Sequence, residues 1–349
     1  MLGRRIDDGN GMRWRSRAVG ALVGTALVGL SSACALGSGS GTELTLYSAQ
    51  HEDLVKAMLD GFAKETGIDV VLRSGSDFEL GNQIVQEGAA SPADVFLTEN
   101  SPAMTLVAGK GLLAPVDPET LAQVPQRYAS AGKDWVGFAA RSTVLAYNSR
   151  LQPATTLPES IMDLADARWK EQVGIAAAGA DFQAIVSAVV AVKGEHAAEM
   201  WLRGLKANAK IYRSNVAVMA AVNSGEVKTG VMYHYYWYKD RAESGGNSTN
   251  TELKFFGGKD PGAFVSVSGA GVLKSSKHAA DAQKLLRYLT GRAGQQALVS
   301  SKALEYPVGT GIAPNAALKP LSELDPPAVD PGALNGPRVV ELMQQAGLL

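Results

Sequence analysis

From Leu44 onward, apolar and polar positions switch regularly between two periods. Leu44 to Ser48 is a short apolar run that predicts a strand, and Leu54, Val55, Met58, Leu59 and Phe62 then recur at helical spacing until Gly67 stops them. Val70 to Leu72 predicts a second strand. Leu80, Ile84 and Val85 mark a second helix, and Asp94 to Leu97, after Ser91-Pro92, a third strand. This β-α-β-α-β order is the pattern of a parallel sheet in an α/β domain.

The pattern then changes character. Trp135 to Tyr147 (WVGFAARSTVLAY) reads as extended apolar chain leading out of the first lobe, and a second α/β run starts at Val173 to Ala177. Gly179-Ala180-Asp181 precedes the helical stripe Phe182, Ile185, Val186, Val189 and Val190, which makes Asp181 the expected N-cap; amides at such a helix start attract anions. A loop, Gly257 to Gly262, leads into the strand-like run Phe264 to Leu273, broken by Gly269 and Gly271, through which the chain is expected to re-enter the first lobe. Ala282, Leu285, Leu286 and Leu289 form a core-facing helical stripe. Residues 307–337, rich in Pro, Ala and Gly, predict an extended wrap closed by a short helix, Val339 to Ala346. No internal repeat is present.

A chain of 349 residues, 46% hydrophobic, exceeds the usual size of one core, so two lobes are expected. Its formal charge of -1, with both signs interspersed, gives no footprint for DNA or RNA. Arg4, Arg5, Arg13, Arg15 and Arg17 precede the apolar stretch Ala18 to Leu30, which is short of the roughly 20 residues a membrane helix needs and reads as a secretory signal. Cys34 is the single cysteine and cannot close an internal disulfide. Its place after Ser31-Ser32-Ala33 resembles a bacterial lipoprotein processing site, although Ser31 stands where Leu is usual; an ordinary signal peptide is the alternative. Ala35 to Thr42 then forms a flexible tether. The expectation is a lipid-anchored extracytoplasmic domain, at the cell surface or in the periplasm.

In open parallel sheets, ligands bind beyond the carboxyl ends of the strands. His51 follows the first strand and Glu99 the third, so both can face one cleft. Of the other histidines, His196 and His278 sit among charged residues and read as solvated; no pair, His234 included, has zinc-motif spacing, and no H-E-x-x-H, G-x-S-x-G or P-loop occurs. Tyr235 and Tyr236 are adjacent. Neighbours in a strand face opposite ways, so these two can share a ligand only from a turn or an element's end. Taken alone, Tyr233, Tyr235, Tyr236, Trp237 and Tyr238 read as an aromatic patch.

Four segments in order alter that reading. Tyr47 to His51 resembles the opening strand and ligand His of the ferric ion-binding proteins that serve bacterial iron ABC importers. Ala93 to Glu99 resembles the strand that presents their Glu, His234-Tyr235-Tyr236-Trp237 their paired tyrosines, and Ser266 to Ser276 their return to the first lobe. The resemblance spans the mature chain and implies a two-lobe periplasmic-binding-protein fold, two α/β lobes joined by hinge strands around a cleft. On it, the leader is 1–34, the tether 35–42, lobe 1 is 43–141 and 264–312, lobe 2 is 142–263, and the wrap and helix 313–349 lie on lobe 2.

It also implies that His51, Glu99, Tyr235 and Tyr236 bind Fe(III). Two phenolates, one carboxylate and a neutral imidazole nearly cancel its charge, and coordination deprotonates phenols whose free pKa is about 10. A synergistic anion, carbonate or phosphate, would fill the remaining positions, contacted by Arg141, Gly179 and Asn215. Ala178 stands where the family has a Ser, and Tyr233 where an Asn is common. Gln50 is expected to orient His51, whereas Glu52 reads as an ordinary first-turn acid. The implied protein is a monomeric receptor for an ABC permease and not an enzyme. Alternatives are a same-fold receptor for an organic or phosphonate-type anion or a polyamine, and, more remotely, a metal-dependent hydrolase or oxidase.

Overall fold

The computed structural model describes residues 43–349; the expected leader, Cys34 and tether lie outside them. Among the described residues, ten strands form one continuous sheet. β1 (Glu43–Ser48), β2 (Asp69–Ser74) and β3 (Val95–Leu97) are parallel, with β1 between the other two. The helices between them, Glu52–Thr66 and Asp77–Glu87, start at the carboxyl ends of β1 and β2, as the alternating pattern requires. Gly67 closes the first with a left-handed φ of 71°, which is why a glycine stands there.

β4 (Val136–Asn148) is thirteen residues long and buried throughout. Its first half pairs antiparallel with β9 (Val265–Val272), which in turn pairs with β3. Its second half pairs with β7 (Thr229–Tyr233) and β8 (Thr251–Lys254), and the sheet continues through β5 (Val173–Ile175) to β6 (Ala209–Ile211). The short β10 (Tyr306–Pro307) lies against Ala139 and Ala140 of β4. A run with no polar alternation thus becomes the one strand that serves both halves of the sheet.

Apolar packing divides along the same line. One large cluster gathers the β1 to β3 units with Val136 to Ala140, Val267 to Leu273 and the helix Ala279–Thr290. A second gathers Leu145, β5, the helix Ala180–Lys193 and residues 334–348, and a third, around Val144, Val218 and Met232, covers the opposite face of the second half. Leu318 and Leu324 still pack in the first cluster, whereas Val339, Leu342 and Met343 pack in the second. The C-terminal helix, Gly336–Gln345, starts slightly before the expected Val339, capped by Asn335. Among the described residues, no helix is long and apolar enough to cross a membrane.

One local expectation is overturned. Gly179, not Asp181, is the N-cap of the Ala180–Lys193 helix, and no side chain caps it. Asp181 sits one position inside the helix, 4% exposed, and turns inward.

Candidate metal site

The strands deliver two side chains from the first half of the sheet. β1 ends at Ser48, and the chain turns through Ala49 and Gln50 so that His51 precedes the Glu52–Thr66 helix, with φ -49° and ψ 122°. Glu99 follows β3, where its backbone N–H and that of Asn100 donate to the two carboxylate oxygens of Asp77, each at 2.9 Å. Asp77 is buried at the start of its own helix, so one carboxylate satisfies two loop donors and fixes the peptide that carries Glu99.

The second half supplies the rest. β7 ends at Tyr233 and the helix His234–Glu243 begins at once, so Tyr235 and Tyr236 lie in its first turn, with ring centroids 4.2 Å apart. The requirement for an element's end is met by this strand-to-helix junction. His234 is buried beneath them, accepts from Ser142 N–H at 3.2 Å and stacks on Tyr306; burial drives its pKa down to about 3, so it stays neutral.

These groups meet in a single run of donor atoms. His51 Nε2 stands 3.4 Å from Glu99 Oε1, and the Tyr235 hydroxyl donates to the same oxygen at 2.9 Å. That hydroxyl lies 3.4 Å from Asp181 Oδ2, to which Tyr236 donates at 3.0 Å. Asn215 Nδ2 also reaches Asp181 Oδ2, at 2.8 Å, and Asn100 Nδ2 reaches Oδ1 at 2.9 Å. His51 Nε2 is buried without a hydrogen-bond partner although its side chain is 38% exposed overall.

Electrostatics follow from burial. Glu99 and Asp181 are each pushed up to about 7, by loss of water first and, for Asp181, by Glu99 next. Burial and then these carboxylates hold both phenols well above their ordinary pKa. Burial lowers that of His51. The metal-free cluster therefore combines neutral phenols and a neutral imidazole with two carboxyls that titrate near neutrality instead of in the ordinary acid range. Among the described residues, no three His, Cys, Asp or Glu side chains form a metal-holding group, so any ion here depends on the phenols.

The other expected residues lie close by in different roles. Arg141 is fully buried, with its terminal nitrogens donating to the Glu99 carbonyl, to Ser268 Oγ and to Glu305 Oε2. Gly179 N–H is bonded to the Ala176 carbonyl, and Asn215 faces Asp181. Gln50 Oε1 accepts the His51 backbone N–H at 2.7 Å. Glu52 is exposed and paired with Lys56. Tyr233 donates to Asn100 Oδ1 at 3.1 Å.

Sequence reasoning missed Asp77, Asn100 and Glu305, and gave Asp181 a capping role. An acid in a first helical turn is ordinary, and only its place two residues after Gly179, itself singled out, could have marked it.

Residues 90–329 match the family model described as bacterial extracellular solute-binding protein. The chain is 54% identical to an Fe(3+)-binding periplasmic protein of Serratia marcescens, over 88% of this chain and 90% of that one. It is 35% identical to the major ferric iron-binding protein of Neisseria meningitidis serogroup B, over 94% and 98%. Iron-bound HitA from Pseudomonas aeruginosa superposes with a TM-score of 0.83 at 44% identity, over 88% of this chain and 99% of that one. By the family model and these relatives, this chain belongs to the family of bacterial extracellular solute-binding proteins.

Proposed function

We propose that this protein captures ferric iron outside the cytoplasm and delivers it to the permease of an ABC importer, using His51, Glu99, Asp181, Tyr235 and Tyr236 as ligands. The observation that carries the reading is the run of one nitrogen and four oxygens spaced successively by 2.9–3.4 Å. Ferric ion is a hard acid that favours phenolate and carboxylate. Binding displaces the phenol protons and ionises two buried acids, so uptake releases protons. The relatives named for ferric iron, and the iron-bound neighbour, support it.

Asp181 takes the place expected for a synergistic anion. Asn100, Asn215 and both phenols converge on it, and with Gly179 N–H and the Arg141 terminal nitrogens occupied internally, an exogenous carbonate or phosphate has few free donors. The same feature weighs against an organic-anion receptor, whose cleft would present cations where Glu99 and Asp181 stand. The reading is of a binding protein that releases its cargo unchanged, not of an enzyme.

On this proposal, 43–141 and 264–312 form one lobe and 142–263 the other, with 313–349 passing from the first to the second; the division of apolar packing supports it. Closure would pivot where β4 and β9 meet, at Thr143 N–H and the Phe264 carbonyl, 2.9 Å apart. Lipid attachment at Cys34 and a monomeric state complete the proposal. The test is a visible absorption titration of the metal-free mature domain with ferric nitrilotriacetate. A one-to-one phenolate-to-iron charge-transfer band is expected. Its absence would remove the tyrosines from the metal.

A further inference from the structure

Glu305 touches no proposed ligand side chain, yet it reaches both ligand-bearing loops of the first lobe through one intermediary each. Its Oε2 accepts from Arg141 Nη2 at 2.6 Å and from Gln50 Nε2 at 3.3 Å. Arg141 in turn donates to the Glu99 carbonyl, and Gln50 accepts the His51 N–H. Ser268 Oγ closes the network: it receives Arg141 at 2.8 Å and Gln50 at 2.9 Å and donates to the Glu99 carbonyl at 3.1 Å. The Arg141 and Glu305 side chains are both 0% exposed, and Tyr306 of β10 pairs with Ala140, next to Arg141 in β4.

The charge arrangement gives the pair a second consequence. A guanidinium is a planar fork shaped for oxyanions and is weakly hydrated. Arg141 lies beneath the cleft with its Cζ 5.8 Å from the Tyr235 ring, and its Nε has no partner. A buried cation stripped of its carboxylate must find another anion.

We propose that Glu305 is a positioning and specificity-determining residue: through Arg141 and Gln50 it holds the Glu99 and His51 loops in place, and it withholds the Arg141 guanidinium from exogenous anions. The proposal rests on the ligand assignment above. It makes ferric binding by the native protein indifferent to phosphate, and it makes that indifference a property of a residue remote from the ion.

The experiment is competition titration with ferric nitrilotriacetate, with and without phosphate, on the mature chain and on Glu305→Gln. Native affinity is expected to be unmoved by phosphate. Glu305→Gln is expected to bind at least about tenfold more weakly and to regain affinity when phosphate is added. Arg141→Gln in the same background removes that recovery. Native-like affinity in Glu305→Gln, or equal weakening with and without phosphate, overturns the proposal, since a merely structural residue gives no anion response. Should Glu305→Gln fail to fold, Arg141→Met with Glu305→Leu replaces the pair by apolar groups; this variant is expected to bind weakly and to ignore phosphate, and native affinity in it overturns the proposal. A native protein without a charge-transfer band would overturn the ligand assignment itself.

Discussion

The two halves of the proposed site are held in different ways. His51 and Glu99 are fixed from behind by residues that never meet the cleft: Gln50 on the His51 N–H, Asp77 on the Glu99 N–H, and Arg141 on the Glu99 carbonyl. Tyr235, Tyr236 and Asp181 instead hold one another, with Asn215 and Asn100 as the outside donors. The first half is set by backbone before any ion arrives. The second is a set of hydrogen bonds between ligands that a metal must replace. Changes at Tyr235 and Tyr236 should therefore abolish binding with little cost to folding, whereas changes behind the first half should cost stability and reach affinity only through the loops they hold.

The sharpest way to break this contrast is Tyr235→Phe or Tyr236→Phe. Each is expected to lose ferric affinity by at least about a hundredfold, nearly 3 kcal/mol, with the metal-free melting temperature little changed. Ligand-free unfolding and chelator competition on the same samples check both parts. Asp181→Asn is expected to weaken binding by at least about tenfold and to make it respond to carbonate, because a ligand position opens. Asn100 Nδ2 and Asn215 Nδ2 donate to opposite oxygens of Asp181, so one of them faces the new amide nitrogen, and metal-free stability should fall by about 1–3 kcal/mol; native ferric affinity in this variant would show that Asp181 is structural only.

pH tests both halves together. Glu99, Asp181 and Asp77 are pushed up to about 7 in the fold, against roughly 4 for ordinary carboxylates. Between these values the native metal-free protein binds more protons than the unfolded chain, so its stability should fall as pH rises from about 4 to about 7. The iron-loaded protein should behave oppositely and lose its visible band on acidification, as protons reclaim the phenolates and carboxylates. Denaturation series at several pH values, with and without iron, measure the two slopes.

Asp77→Asn leaves one loop N–H facing an amide nitrogen. The expected loss is about 1–3 kcal/mol of stability, with only a few-fold effect on affinity. Glu52→Gln removes a carboxylate that is exposed and paired only locally, and should leave both stability and affinity unchanged.

What could be read from the sequence follows physical locality. The strand and helix periods placed β1 to β4 and β9 within a residue or two, and put His51 and Glu99 at strand ends, because alternation and strand termini are local properties. Tyr235 and Tyr236 drew notice as neighbours, but only the β7-to-helix junction shows how they point the same way. Asp181 was legible as a helix-start acid and not as the centre of the cluster, since the groups converging on it come from residues 100, 215, 235 and 236. Arg141 lay within a strand already recognised, but its partner Glu305 is 164 residues away in a segment with no pattern of its own. Long-range pairing of polar groups leaves no period in a sequence.

β4 has a mechanical meaning as well. One unbroken strand carries Arg141 in the half that holds Glu99 and, two residues on, Thr143 in the half that holds the tyrosines, with the returning chain bonded beside it at Phe264. On the proposed closure, the two halves would be the arms of a lever whose fulcrum is a pair of adjacent strands. On that closure, donors near the fulcrum would move little as they draw onto an ion while the outer rims travel farther, and a permease gripping the rims would distinguish loaded from empty protein without touching the metal.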